Sequence, residues 1–440
     1  MLIICKNFGD FLDFYIITLG CKVNQYESEM MSELLLSNGF SKAEGYSDAD
    51  ICIINSCTVT STGDSKCRKV IHRVRRENKD AVIILTGCMP QAYADNLSAF
   101  DECDIVLGNT CRGEIITTIF DYLNTCSQII RITPHEKGER FEPMQISNFS
   151  ERTRAYMKIE DGCNRFCTYC IIPYARGRVR SKPLDIIKKE AHDLAKAGFR
   201  EIVIVGINLS AYGEDIDADI YEAVHAVCEI DGIDRVRLGS IEPERMTEEI
   251  LLKLKGEEKF CPHFHLSLQS GCDETLKRMK RHYDTSEYRQ IVENIREIFD
   301  NPSVTTDVMV GFVGETEEEF NQSLDFCDEI GFAKVHVFPY SMRKGTRAET
   351  MDGHIPEHEK NRRSKIMIEH TDIKEQQFLS SQVGTDQPVL FETKSADGYF
   401  EGYTKNYTKV KVRSEKDISN QILDVRITAA YNDYCLGELL

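Results

Sequence analysis

The 440-residue sequence lacks any run of about 18 apolar residues, the length that a membrane-spanning helix needs. We also expect no secretory signal, because the opening MLIICKNFGDFLDF has no basic start and Asp10 and Asp13 interrupt its apolar residues. We therefore expect a cytoplasmic protein without a membrane partner. In that reducing compartment the 17 cysteines more often bind metal or do chemistry than form disulfides.

Positive charge is outnumbered by negative charge. The chain has 54 Lys and Arg against 72 Asp and Glu, a net charge of −18, which argues against a nucleic-acid partner. Three local basic clusters nevertheless occur, KCRKVIHRVRR (66–76), RGRVRSK (176–182) and KRMKRH (277–282). Such runs are most often solvated helix faces, so the composition permits RNA binding without showing it.

The first part of the chain predicts a doubly wound parallel sheet. From Tyr15 to about residue 123, short β-branched runs alternate with amphipathic stretches. The runs are YIITLG (15–20), ICIIN (51–55), AVIILTG (81–87) and DIVLGN (104–109). Cys21, Cys57 and Cys88 each follow one of them. Because ligands bind at the carboxyl edge of open parallel sheets, the three thiols are predicted to meet there as a metal site.

The central part, from about Arg154 to Gln376, predicts a partial (βα)6 barrel with functional groups at the carboxyl ends of its strands. Its six predicted strands are RAYMKI (154–159), EIVIVG (201–206), RVRLGS (235–240), HFHLSL (263–268), VTTDVMVG (304–311) and KVHVFPY (334–340). A long polar helix is predicted over residues 356–379, where the segment closes.

The last 60 or so residues alternate apolar and polar side chains, which predicts a small antiparallel β-barrel. Turns are expected at Ala396–Gly398 and Lys405–Asn406. The stretch YTKNYTKVKV offers aromatics and lysines of the kind that bind single-stranded RNA. A structural cap is nearly as well supported, because this part has more Asp and Glu than Lys and Arg.

The stretch DGCNRFCTYC places Cys163, Cys167 and Cys170 in a CxxxCxxC pattern after the first barrel strand. A structural zinc site needs four ligands, and His265 and His282 do not have the spacing of a zinc knuckle. A [4Fe–4S] cluster is normally held by four thiolates, so three would leave one iron open to a small molecule.

This pattern resembles the radical S-adenosylmethionine (SAM) superfamily. TLGCKVNQYES (18–28), INSCTVT (54–60) and LTGC (85–88) resemble the N-terminal domain of the methylthiotransferases. GCNRFCTYCIIPYARGRVRS (162–181) resembles their radical SAM core, and the chain from about residue 384 resembles their TRAM domain. The opening TLGCKVN is similar to the branch that modifies N6-threonylcarbamoyladenosine beside the tRNA anticodon.

The resemblance implies an N-terminal extension (1–14), an α/β domain (15–130), a radical SAM core (145–380) and a TRAM-like RNA-binding β-barrel (381–440). Cys163, Cys167 and Cys170 would hold a [4Fe–4S] cluster that binds and cleaves SAM. The resulting 5′-deoxyadenosyl radical would remove hydrogen from C2 of the adenine. Cys21, Cys57 and Cys88 would hold a second [4Fe–4S] cluster that delivers sulfur, and a second SAM would supply the methyl group.

The implied partners are the anticodon stem-loop of tRNA, an electron donor such as flavodoxin or ferredoxin, and a sulfur source. Residues at predicted strand ends are expected to contact SAM, namely Gly206, Asn208, Gln269 and Gly311, although a glycine after a strand is usually only a turn. Arg176, Arg178 and Arg180 are candidates for gripping tRNA phosphate or the threonyl carboxylate.

Several alternatives stay open. The substrate could be isopentenyl-adenosine in tRNA, or an aspartate of a ribosomal protein. The chain could instead be a zinc-binding, non-catalytic RNA-binding protein, or an electron carrier. The other eleven cysteines have no such spacing and are expected to be core or incidental residues, with Cys272, after LSLQSG, the one that merits attention.

Overall fold

The structure is a computed structural model that describes residues 12–95, 100–142, 146 and 153–440. Its described residues form two compact units. The first draws on Met1–Ser150, Glu160–Ser181 and Ser341–Glu349, and the second on Glu151–Ile159, Lys182–Tyr340 and Thr350–Leu440. None of the helices in the described ranges combines the length and apolar composition that crossing a bilayer requires. Most of the predicted extension, residues 1–14, lies outside the described residues.

The first unit is built on a six-stranded parallel sheet with the order β2-β1-β3-β4-β5-β6, which confirms the predicted doubly wound class. Its strands are β1 (Asp13–Thr18), β2 (Ser41–Lys42), β3 (Ile51–Ser56), β4 (Val82–Gly87), β5 (Ile105–Leu107) and β6 (Ile129–Arg131). Its helices are α1 (Lys22–Ser37), α2 (Ser61–Glu77), α3 (Cys88–Ala92) and α4 (Ile115–Thr125).

Both faces of this sheet are buried, which explains why its strands read as continuous apolar runs. In β3, Ile51 and Ile53 point to one apolar core, whereas Cys52 and Ile54 point to the other. Thr60 is the N-cap of helix α2, because its side chain accepts a hydrogen bond from Gly63 N at 3.0 Å.

The chain next forms β7 (Arg154–Lys158) in the second unit. It then returns to the first unit with β8 (Glu160–Asp161), α5 (Ile172–Arg176) and β9 (Arg180–Ser181). This excursion carries the CxxxCxxC motif. Each compact unit is made of several segments that are not contiguous in the sequence. The predicted domains are continuous segments, so their boundaries remain a proposal.

The second unit contains two parallel sheets, ordered β11-β10-β7 and β12-β13-β14-β15, in which all six predicted barrel strands are present. Its further strands are β10 (Glu201–Val205), β11 (Arg235–Leu238), β12 (Ser240–Ile241), β13 (His263–Leu266), β14 (Ser303–Val310) and β15 (Lys334–Pro339). Its helices are α6 (Leu184–Lys196), α7 (Ile220–Cys228), α8 (Glu248–Lys255), α9 (Asp273–Met279), α10 (Thr285–Ile298), α11 (Glu317–Ile330) and α12 (Glu357–Ser381). Gly239 alone separates β11 from β12.

A closed five-stranded barrel ends the chain, with the order β16-β17-β18-β20-β19. The predicted barrel is confirmed, but its strand pairs are not all antiparallel as expected, because β18 pairs with β20 in parallel. Its strands are β16 (Asp386–Lys394), β17 (Tyr399–Thr404), β18 (Lys409–Arg413), β19 (Ile422–Ala430) and β20 (Cys435–Leu439). The two expected turns join β16 to β17 and β17 to β18. Apolar side chains from all five strands fill its interior.

The tyrosines of the YTKNYTKVKV stretch pack within the second unit. Tyr403 and Tyr407 stack with ring centroids 4.7 Å apart, and His263 stacks on the Tyr407 ring at 4.7 Å. Arg237 lies 4.7 Å from the centroid of the Tyr407 ring and donates a hydrogen bond to Lys405 O at 2.8 Å. For these tyrosines the structure therefore favours the structural alternative over direct stacking on RNA bases.

Candidate metal centres

Cys21, Cys57 and Cys88 lie at the carboxyl ends of β1, β3 and β4, three neighbouring parallel strands. The structure thus brings all three to one edge of the sheet. Cys21 is exposed, Cys57 is half-buried and Cys88 is buried. The pKa of Cys57 is raised to about 12, first by burial and then by the neighbouring Cys88 and Cys21 thiols.

Glycines allow these strand ends to approach one another. Gly20 has a φ of +122°, and a Cβ built on it would lie 2.6 Å from the Cβ of Cys57. Gly87 has a φ of +97°, and its Cβ would lie 2.3 Å from Ser56 O. A side chain at either position would push the cysteine-bearing turns apart.

Buried amides hold the same turns in place. Asn24 donates from Nδ2 to Asn55 Oδ1 at 3.1 Å and to Ser56 O at 3.0 Å. The Cys21 thiol donates to Asn24 Oδ1 at 3.3 Å. Ser56 Oγ accepts a hydrogen bond from Met89 N at 3.2 Å, which connects the second cysteine turn to the third. Buried, satisfied amides of this kind make a local arrangement rigid.

The CxxxCxxC loop is closed at its neck by the antiparallel pair β8–β9, in which Asp161 lies opposite Arg180. Cys163 N donates to Gly177 O at 3.0 Å, which pins the first cysteine to the returning chain. Cys170 N donates to Cys167 O at 3.0 Å, so the last two cysteines share one tight turn. All three cysteines are half-buried.

The two sets of cysteines offer three thiols each, and this donor chemistry fits iron–sulfur clusters. In the described part of the chain, no three Cys, His, Asp or Glu side chains converge tightly enough to bind one metal ion. Cluster thiolates bind separate iron atoms, so they need not converge on a single point. A four-ligand zinc site of the kind considered above is therefore not formed by the described residues.

Arg176 lies in α5, just after the CxxxCxxC motif, and is fully buried in the first unit. It donates from Nε to Cys88 Sγ at 3.1 Å and pairs through both terminal nitrogens with Glu27, at 3.0 Å for the Nη2 contact. Its Nη1 also lies 3.5 Å from Asp161 Oδ2. Burial alone would lower the pKa of Arg176, but Cys88, Glu27 and Asp161 hold it well above its ordinary value.

Arg112 completes this buried cluster of charges. It lies 2.9 Å from Glu27 Oε2 and donates to Glu142 Oε2 at 3.1 Å. Burial opposes its charge, but Glu27 and Glu142 raise its pKa. Neither Glu27 nor Arg112 was predicted from the sequence as a site residue. Arg112 follows the carboxyl end of β5, next to β4. The principle that functional groups gather at the carboxyl ends of parallel strands, which located the cysteines, would have identified it as well.

The three arginines predicted to grip substrate have different environments. Arg176 presents no surface to RNA in this arrangement, because it is fully buried. Arg180 is 7% exposed and lies 3.2 Å from Glu139. Arg178 alone is exposed, with its guanidinium 4.7 Å from the centroid of the Phe166 ring.

The four predicted SAM contacts all lie in the second unit, after the carboxyl ends of β10, β13 and β14. Gln269 has an unusual φ of +67° and bonds through its backbone to Asp307 O and Met309 N, both at 2.8 Å. Gly311 N donates to Glu315 Oε2 at 2.6 Å. Asn208 is buried and Gly206 is partly exposed. Their contact with SAM remains a prediction.

The remaining cysteines of the described ranges, including Cys272, are buried, with the exception of Cys126. Cys52, Cys67 and Cys103 belong to one apolar core of the first unit. Cys5 lies outside the described residues.

Three family models match the chain: "Uncharacterized protein family UPF0004" over residues 13–111, the radical SAM superfamily over 157–327 and the TRAM domain over 380–440. A relative from Bacillus subtilis (strain 168), "Threonylcarbamoyladenosine tRNA methylthiotransferase MtaB", is 37% identical over 96% of this chain and 95% of its own length. A "tRNA-2-methylthio-N(6)-dimethylallyladenosine synthase" from Pelotomaculum thermopropionicum is 32% identical over 96% of this chain and 97% of its own length.

Among solved structures, the radical SAM methyltransferase TsrM from Kitasatospora setae matches with a TM-score of 0.56. The match covers 75% of this chain and 72% of that chain at 14% identity, so it supports the fold alone. The full-length relatives and the three matched domains identify the family, for which SAM and a [4Fe–4S] cluster are the implied cofactors. The chain belongs to the radical SAM methylthiotransferases that act on tRNA.

Proposed function

We propose that this enzyme inserts sulfur and a methyl group at C2 of N6-threonylcarbamoyladenosine, next to the anticodon at tRNA position 37. The product would be 2-methylthio-N6-threonylcarbamoyladenosine. The Bacillus subtilis relative, whose name states the threonylcarbamoyladenosine substrate, supports this choice.

The observation that carries the proposal is the second set of three thiols, Cys21, Cys57 and Cys88, at one edge of the first sheet. An enzyme that only cleaved SAM would need the CxxxCxxC set alone. A second thiol-only set provides a separate place from which sulfur can be delivered. The contact between Arg176 and Cys88 joins this second set to the segment that follows the first.

Cys163, Cys167 and Cys170 would hold the cluster that supplies SAM cleavage, and Cys21, Cys57 and Cys88 would hold the cluster that supplies sulfur. Arg176 fixes the position of the Cys88 side chain, and Asn24 fixes that of Cys21. Gly206, Asn208, Gln269 and Gly311 are proposed to contact SAM.

Two SAM molecules would be used in each turnover, one for the radical and one for the methyl group. An electron donor such as flavodoxin or ferredoxin and a sulfur source are the further partners that we propose. A tRNA substrate would place the reaction in the cytoplasm.

A second candidate substrate is isopentenyl-adenosine in tRNA. It is favoured by the Pelotomaculum thermopropionicum relative, whose name states the dimethylallyl nucleoside and which matches nearly the whole chain. This relative is 32% identical to the chain, compared with 37% for the Bacillus subtilis relative, so isopentenyl-adenosine is the second choice of substrate.

The test is an anaerobic assay of the reconstituted protein with SAM, a reductant and tRNA that carries either nucleoside, followed by mass spectrometry of the nucleosides. We expect methylthiolation of threonylcarbamoyladenosine and its loss in Cys21→Ser. Cys126→Ser is the matched control, because Cys126 is also exposed but belongs to neither cysteine set. Product from isopentenyl-adenosine alone would overturn the proposed substrate.

A further inference from the structure

A cavity of about 520 Å³ in the first unit is lined in part by the residues that directly follow the last cysteine of each set in the sequence. Its lining includes Met89, which follows Cys88, and Ile171, which follows Cys170. Both side chains are buried and apolar. A volume of this size is typical of sites that enclose a small organic group.

Two tyrosines line the same cavity. Tyr174 is 54% exposed, and its ring contacts the Phe166 ring in a T-shaped arrangement with centroids 5.9 Å apart. Tyr93 is half-buried, and its hydroxyl accepts a hydrogen bond from Arg343 at 2.5 Å. Aromatic faces beside an apolar floor suit the stacking of a nucleobase.

Two cations, Arg68 and Lys344, also line the cavity, and both are exposed. Within the described residues neither one makes a hydrogen bond or an ion pair. Asp64 in the same lining is already engaged by Arg343 at 2.7 Å. Asp95, the other carboxylate of the lining, is exposed. The cavity therefore combines, in one lining, two positive charges without a partner among the described residues and a set of apolar and aromatic side chains.

The backbone around Lys344 is held in place within the first unit. Ser61 N donates to Ser341 Oγ at 3.0 Å, and Ala348 N donates to Thr168 O at 2.8 Å. The neighbouring Arg343 is buried and paired with Asp64. Arg68 stands one helical turn after Asp64 on α2. Both cations are thus carried by anchored elements.

We propose that this cavity receives the target nucleoside and that Arg68 and Lys344 bind the carboxylate of its threonylcarbamoyl group, an assignment that rests on the proposed function. A carboxylate between a guanidinium and an ammonium forms charge-assisted hydrogen bonds. An isopentenyl group has no charge, so it would leave both cations without a partner. These two residues thereby select the substrate.

A second cavity of the first unit, of about 500 Å³, suits an anion less well. Two of its arginines already have partners, since Arg112 pairs with Glu142 and Arg180 with Glu139. Glu136 and Asp161 add further negative charge to its lining.

The test compares Arg68→Gln, Lys344→Gln and the double variant with the parent enzyme. The substrates are three versions of one anticodon stem-loop, with threonylcarbamoyladenosine, isopentenyl-adenosine or unmodified adenosine at position 37. We measure KM and kcat by nucleoside mass spectrometry, the Kd of each RNA and the iron content of each variant. Lys66→Gln and Lys69→Gln are the controls, because these exposed lysines share α2 with Arg68 but do not line the cavity.

Each cavity variant should weaken recognition of the threonylcarbamoyl RNA by about tenfold or more, chiefly in KM and Kd, with unchanged iron. Binding of the other two RNAs should change by less than about threefold, and Arg68→Lys should restore part of the selectivity. The control variants should change the Kd of all three RNAs by the same factor, because a charge outside the cavity cannot distinguish the group at position 37. Equal losses on all three RNAs in the double variant would overturn the inference while leaving the proposed function intact. A parent enzyme that modifies only isopentenyl-adenosine would overturn both.

Discussion

The Nε atom of Arg176 lies 3.1 Å from the sulfur of Cys88, inside the first unit, where both side chains are buried. Arg176 belongs to the segment after the CxxxCxxC motif, and Cys88 follows a strand of the N-terminal sheet. Glu27 holds the other side of the guanidinium. One buried side chain therefore ties together the segments that carry the two cysteine sets.

Replacing Arg176 with glutamine should lower the free energy of unfolding of the first unit by about 3 kcal/mol, because it removes one of the two buried cations that pair with the Glu27 carboxylate. Iron bound through Cys88 should fall as well. Arg178→Gln removes the same charge from an exposed position, and its effect should stay within about 0.5 kcal/mol. Urea denaturation and iron analysis measure both variants. Equal stability of the two would mean that the buried pair does not hold the fold.

Gly20→Ala should displace the Cys57 turn, because the added Cβ would lie 2.6 Å from the Cβ of Cys57 at a backbone φ of +122°. We expect loss of about four irons per chain while the CxxxCxxC set keeps its own. The matched control is Gly39→Ala, which has a positive φ of +86° but nothing within 4 Å of the new Cβ. If the two variants bind equal amounts of iron, the close approach at Gly20 is not needed for metal binding.

In reduced, metal-free protein at pH 8, iodoacetamide should modify Cys21 well before Cys57. Cys21 is exposed, whereas burial and the neighbouring thiols raise the pKa of Cys57 to about 12. The thiolate is the reactive form, so the Cys57 rate should rise about tenfold from pH 8 to pH 9. Peptide mass spectrometry over time gives both rates. Similar rates for the two thiols at pH 8 would contradict the described environment of Cys57.

Glu201→Gln should destabilise the second unit at pH 7, and the difference from the parent should shrink in acid. Burial would raise the pKa of Glu201, but Arg237, Arg154 and Arg235 hold it below its ordinary value. A lowered pKa means that the stabilisation is complete above the unfolded-state pKa, about 4.3, and is lost as the pH falls below it.

Thermal unfolding of parent and Glu201→Gln at pH 7 and pH 4 tests this expectation. Glu249→Gln serves as the control, since Glu249 pairs with Lys253 on an exposed helix face and its replacement should change the Tm little at either pH. A Tm difference between parent and Glu201→Gln that is larger at pH 4 than at pH 7 would contradict the lowered pKa of Glu201.

The strands of both units were predictable because a parallel strand buried on both faces, such as β3 or β4, must be apolar throughout. The meeting of Cys21, Cys57 and Cys88 at one edge followed from the same topology. In the β-barrel, the turns that join β16 to β17 and β17 to β18 were predictable from their turn-forming residues. The strands and the turns are encoded locally, whereas the meeting of the three cysteines, which are far apart in the chain, also required the parallel arrangement of the strands.

The contact between Arg176 and Cys88 was not predictable, because its partners are far apart in the chain and RGRVRSK reads as one uniform basic run. Only the packing of the first unit shows that Arg176 is buried while Arg178 is exposed. The placement of residues 341–349 in that unit was likewise hidden, since this loop has no periodic pattern. The tyrosines of the C-terminal barrel resembled an RNA platform until their contacts with Arg237 and His263 were visible.

The most direct test of the account is anaerobic iron and sulfide analysis of the reconstituted protein. The companion variants are Cys163→Ala/Cys167→Ala/Cys170→Ala and Cys21→Ala/Cys57→Ala/Cys88→Ala. Two separate three-thiol clusters predict about eight irons in the parent and about four in each triple variant. About four irons in the parent, all lost when the CxxxCxxC cysteines are replaced, would mean that Cys21, Cys57 and Cys88 hold no cluster, and sulfur insertion from that site would be excluded.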